Sequence, residues 1–76
     1  MTTSEFLKEI ETIIEADPGS ITMDNQIASL TGWDSMSIIS FIAMADAKLQ
    51  VAMNVTALAS CKTVGDLAGL LEGKVA

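Results

Sequence analysis

Asp34 and Ser35 stand side by side in GWDSMSII, residues 32 to 39, just ahead of an apolar run with helical spacing. The serine hydroxyl can act there as a nucleophile, as a helix cap or as the bearer of a phosphate ester. A nucleophile needs a base within hydrogen-bond reach. The chain has no histidine, arginine or tyrosine, so a self-sufficient hydrolase built on Ser35 lacks its usual base. Capping is the simplest account of the spacing alone, because Ser and Asp are among the commonest N-caps. A phosphate ester on Ser35 would also sit well, since bare N–H groups and the macrodipole favour negative charge at a helix start. Ser4, Ser20, Ser29, Ser37, Ser40 and Ser60 read as ordinary surface or cap serines.

Other chemistries have fewer residues to draw on. Zinc sites use His and Cys, and only Cys61 is present. Asp17 and Asp24 lack the alternating acids of a calcium loop. No metal site and no catalytic residue is expected. One cysteine cannot form an internal disulfide, which leaves the cytoplasm as the expected setting. Cys61 itself reads as a small core residue. The net charge is −6, ten acids against four lysines. Phosphate-backbone binding needs clustered cations, so nucleic acid is not an expected partner. A basic protein surface is the more natural one. The longest charge-free central run, between Asp34 and Asp46, is far short of the ~20 residues of a membrane span. The start, MTTSEFLKEIE, lacks the basic and apolar regions of a signal peptide.

These residues need elements to hold them, and 76 residues suffice for one domain, 1–76, with half its residues hydrophobic. Phe6, Leu7, Ile10, Ile13 and Ile14 have helical spacing, with Glu5, Lys8, Glu9, Glu11 and Glu15 on the other, solvated face. Thr2 and Glu5 fit a capping box, and Asp17-Pro18-Gly19-Ser20 ends this helix. Residues 18–33 form a long connection that Ile21, Met23, Ile27, Leu30 and Trp33 should pin to the core. Ala28 and Leu30 are compatible with a short turn. A second helix runs from about Ser35 to Leu49 with Asp34 or Ser35 as N-cap. It is apolar almost all round, the pattern of a central buried helix or of one whose surface meets something oily. Asn54 or Thr56 caps a short helix over Ala57–Ser60. Thr63 caps a last one with Val64, Leu67, Leu70 and Leu71 facing inward and Gly73 beyond its end. The expected fold is all-α, a small four-helix bundle of three longer helices and one short one, with a long ordered loop between the first two.

Asp34-Ser35-Met36, preceded by Ile27, Leu30 and Gly32, resembles the phosphopantetheine-dependent carrier proteins, the acyl and peptidyl carrier family. Thr63-Val64-Gly65-Asp66-Leu67 is similar to the opening of that family's last helix, and the resemblance spans nearly the whole chain. It implies that a phosphopantetheinyl transferase esterifies Ser35 with 4′-phosphopantetheine from coenzyme A. Asp34 would lie close to the transferase's metal and phosphate site. The arm would carry acyl groups as thioesters to acyl-activating, condensing or acyl-transferring enzymes of fatty-acid, polyketide or other specialised biosynthesis. The protein would be a monomeric carrier rather than an enzyme, without a membrane partner, and an apolar cleft would shield its cargo. An aminoacyl or D-alanyl (peptidyl-type) carrier shares the arm and differs in cargo. A helical interaction module without an arm is the reading from another class.

Met36 stands where the family usually has leucine, a swap that keeps volume and apolarity. Met36, Ile38 and Asp46 are candidate docking residues, although Ile38 and Met44 are more readily core. Fatty-acid carriers usually show several acids along the second helix. Here Ser37, Ser40, Ala47 and Lys48 occupy the matching positions, leaving Asp46. Docking should therefore lean on apolar contact, in a specialised pathway rather than a housekeeping one. Trp33 reads as an anchor for the loop, since a large ring gains most by burial.

Overall fold

The computed structural model describes residues 1–75. Its elements are α1 (Thr3–Ile14), a 3-10 turn (Ile27–Ser29), α2 (Ser35–Leu49), α3 (Val55–Ala59) and α4 (Val64–Gly69). Among the described residues no helix is long and apolar enough to cross a membrane. The fold is all-α, as expected.

Local chemistry sets the helix starts. Thr2 accepts from the Glu5 N–H at 3.1 Å while the Glu5 carboxylate accepts from the Thr2 N–H at 2.8 Å, a complete capping box. Thr63 and Asp66 repeat the device at α4. Of the alternatives at α3, Asn54 is the cap, accepting from the Ala57 N–H at 2.8 Å, so the helix begins at Val55 rather than Ala57. The first helix ends before Asp17-Pro18. Glu15 takes a left-handed φ of 57°, and the Ala16 N–H reaches back to the Glu11 carbonyl at 2.8 Å, closing the helix with a Schellman motif.

Helix lengths depart from expectation. Helix α4 has six residues, so the bundle has two longer helices and two short ones. Beyond Gly69 the chain continues in single tight turns, Leu70 N–H to Leu67 carbonyl and Leu71 N–H to Ala68 carbonyl. Glycines at 69 and 73 weaken helix continuation by about 1 kcal/mol each. The turns still deliver Leu71 to the core.

That core is filled by Phe6 and Ile10 of α1, Phe41 of α2, and Val64, Leu67 and Leu71 at the C-terminal end, all fully buried. Phe6 meets Phe41 edge-on, ring centroids 6.2 Å apart. Helices α1 and α2 are tied at the surface by Lys48 and Glu9.

The long connection is ordered by both backbone and side chains. The Ile27 N–H donates to the Lys62 carbonyl at 2.8 Å, Val64 to Asn25 at 3.0 Å and Gly65 to Met23 at 2.9 Å, an antiparallel pairing with the segment that enters α4. Ile21 and Ile27 are buried, and Met23, Leu30 and Trp33 pack against the core. Glu11 is a correction to the sequence reading, which put it on the solvated face. It is 7% exposed, and its carboxylate accepts from the N–H groups of Gly19 at 2.9 Å and Ile21 at 3.3 Å. Loop N–H groups turned inward need an acceptor, and a carboxylate is a strong one.

Acid should loosen the helix starts. Glu5, Asp34 and Asp66 each sit below their ordinary values of 4.5, 3.8 and 3.8, chiefly through backbone N–H donors at Thr2, Ser37 and Lys62 respectively. A depressed folded value means stability that is present above the unfolded value and lost as pH falls through the folded one. Thermal unfolding followed by circular dichroism should show these caps intact near pH 6 and a falling midpoint below about pH 4. A midpoint that does not move down to about pH 3 would contradict this.

Candidate functional site

Asp34 and Ser35 meet at the junction where the long loop becomes α2. Asp34 is the N-cap, in extended conformation, and Ser35 is the first helical residue. This settles which of the two caps. The Asp34 carboxylate accepts from the Ser37 N–H at 3.0 Å and the Ser37 hydroxyl at 3.2 Å. The Ser37 backbone donor, above all, holds the Asp34 carboxyl below its usual range, so it is ionised at neutral pH.

Capping by Asp34 leaves Ser35 unencumbered. Its side chain is exposed and takes no part in the hydrogen bonds among the described residues. Of the first-turn amides, Ser37 is taken by the Asp34 side chain and Ile38 by the Asp34 carbonyl. Those of Ser35 and Met36 have no intrahelical acceptor by construction. A phosphate ester on the Ser35 oxygen therefore fits the positive end of a 15-residue helix.

Three contacts fix where the junction sits. Trp33 stacks edge-on against Phe41, centroids 6.2 Å apart at 67°, which makes it the loop anchor the sequence suggested. Gly32 has φ +93°, and a Cβ built there would stand 2.8 Å from the Ile14 carbonyl oxygen. Only glycine lets the loop pass this close to the end of α1. Ser37 donates its hydroxyl proton to the Gly32 carbonyl at 2.5 Å.

Ser37 overturns its reading as an ordinary surface or cap serine. It is buried, 4% exposed, and ties the loop to the first turn of α2 from both sides. A serine three residues after an Asp cap was a usable hint, but its bond to a residue five positions back was not. Ser37→Ala removes the hydroxyl's bond to the Gly32 carbonyl, keeps the backbone N–H bond to Asp34, and should cost about 1 kcal/mol, measured as a lower urea midpoint at unchanged slope. An unchanged midpoint would show that this bond does not hold the junction.

The candidate docking residues fall in different places. Met36 is exposed beside Ser35, Asp46 is exposed further along α2, and Ile38 is half-buried against the core. The groove nearest the junction, about 240 Å³ between the end of α1 and the start of α2, is lined by Ile14, Glu15, Gly32, Asp34, Ser37 and Ser40 among others. It is largely polar and is not an apolar cleft. Cys61 is half-buried, and desolvation with the nearby Asp66 charge pushes its thiol up, which leaves it protonated and unreactive.

A family model described as "phosphopantetheine attachment site" matches residues 4–71. The chain belongs to this family. Comparison with curated proteins and with solved structures gives no match. The protein is thus a carrier of covalently attached 4′-phosphopantetheine, and domains of this kind are carriers rather than catalysts. The match covers all of the loop-to-α2 junction and everything that pins it.

Proposed function

We propose that Ser35 is the residue that bears the arm. The observation that carries this is its exposed hydroxyl, unengaged among the described residues, on the first residue of α2. In loading, the Ser35 oxygen would form a bond to the phosphorus of coenzyme A that bears the pantetheine. The phosphoanhydride bond breaks, adenosine bisphosphate leaves, and the serine proton passes to a base on the transferase. The carrier holds no histidine to take that proton.

Asp34 serves the same step. An ionised carboxylate beside Ser35 repels an incoming pyrophosphate unless a cation lies between them. Asp34 therefore selects a transferase that brings a divalent metal, and recognition of the site includes that carboxylate.

The cargo in this reading is an acyl group. The arm ends in a thiol that holds such a group as a thioester, and partner enzymes do the chemistry. Residues 1–76 act as one carrier domain that presents its cargo through the outer side of α2, with Asp46 and the exposed edge of Ile38 contributing. A free cysteine goes with a reducing, cytoplasmic setting. The test is loading: apo protein, coenzyme A and a promiscuous phosphopantetheinyl transferase should yield a mass increase of one arm. An unchanged mass with a competent transferase would leave the interaction-module reading instead.

A further inference from the structure

The groove between the end of α1 and the start of α2 adjoins the attachment point. It holds about 240 Å³, and its lining includes both neighbours of Ser35, Asp34 and Met36. Ser40 lines it too, one turn beyond Met36 on the same face of α2. Ile13 and Ile14 line it from the α1 side. Met36 is exposed and Ile13 half-buried, so each offers apolar surface to whatever enters.

The other lining groups are mostly acceptors that lack donors. Asp34 binds Ser37 through Oδ1, which leaves Oδ2 free among the described residues. The exposed Glu15 carboxylate and Ser40 hydroxyl take part in no hydrogen bond there. The carbonyls of Ile13 and Ile14, in the last turn of α1, accept none either. That end of α1 is also the negative end of its dipole. An anion is therefore kept out, and the phosphodiester of the arm stays over the free amides of Ser35 and Met36. A neutral chain with hydrogen-bond donors is what the groove fits.

We propose that the middle of the phosphopantetheine arm rests in this groove, against α1, whenever no partner enzyme holds it. This rests on the assignment of the arm to Ser35. Beyond its phosphate the arm is uncharged. Its geminal methyls match Ile13 and Met36, and its hydroxyl and amide N–H groups match the carboxylates of Glu15 and Asp34. The groove is smaller than the roughly 300 Å³ at which small-molecule sites begin, so the thiol end stays outside and open to partners. An exposed groove binds weakly, but a short tether gives the arm an effective concentration of order millimolar. Contacts too weak to hold free pantetheine therefore suffice.

The test is NMR on isotope-labelled chain loaded with an unlabelled arm from coenzyme A. Isotope-filtered NOEs should run from the geminal methyls of the arm to the side chains of Ile13 and Ser40. Ser40→Leu fills the groove from an exposed position and should remove the NOEs to Ile13 with an unchanged melting curve. Glu15→Gln keeps the shape and drops the charge. It should lower the NOE intensities about twofold or more, because charge-assisted bonds are roughly twice as strong as neutral ones. Methyl NOEs confined to Ser35 and Met36, or running instead to Ile39 and Val55, would overturn the inference and leave the Ser35 assignment standing. So would intensities that neither variant changes. NOEs that vanish on dilution would come from the arm of a second copy and overturn it too. Wild type that takes no arm would remove both the inference and the assignment.

Discussion

Ser35→Ala should abolish uptake of the arm outright. Intact mass after incubation with coenzyme A and transferase should show one added arm on the wild type and none on the variant. The loss should be complete because no other hydroxyl shares the setting. Ser37, two residues on, is buried and donates to the Gly32 carbonyl. Ser40 is exposed but lies inside the helix, more than one turn beyond the Asp34 cap. The fold should survive, since the Ser35 hydroxyl holds nothing in place and alanine is a strong helix former. A stability change within about 0.5 kcal/mol is expected. An arm found on the variant, or localised by fragment ions to another side chain of the wild type, would move the attachment point and dismantle the site described above.

Gly32→Ala should cause the largest loss of stability of any single methyl added near the junction. A non-glycine residue at positive φ costs about 1–3 kcal/mol. At Gly32 a second cost adds to it, because the new methyl would stand 2.8 Å from a backbone carbonyl oxygen that cannot swing aside. Gly19→Ala is the matched control. Its φ is +81°, and nothing lies within 4 Å of its built Cβ. Urea denaturation should therefore rank Gly32→Ala below Gly19→Ala, which in turn lies below wild type. Because Gly32 carries the carbonyl that Ser37 binds, the Gly32 variant should also load its arm more slowly under folding conditions. Equal destabilisation at the two glycines would mean that the loop has room beside α1.

The two long helices were legible because their signals are local. A 3.6-residue apolar period and a cap reaching three residues ahead both lie within one or two turns of chain. The Thr2–Glu5 capping box, the start of α2 at Ser35, Thr63 as the cap of α4, and Trp33 as an anchor all follow from such short-range patterns. Even local reading faltered where two weak tendencies competed. Leu70 and Leu71 keep the inward period beyond Gly69, but the backbone there has already left the helix.

What the sequence by itself determined is the class of the molecule: an all-helical, acidic chain without histidine, arginine or tyrosine, and a serine at the head of its central helix. What only the tertiary structure decided is how that serine is held and what surrounds it. Glu11 turns inward to loop amides eight and ten residues ahead. Gly32 closes on Ile14 across the whole loop, Ser37 reaches back to Gly32, and the outer side of α2 stays bare. Such contacts join residues whose separation along the chain says nothing of their distance in space. A helix that is apolar on every side cannot announce which side the core will take, and that choice is made when the bundle packs.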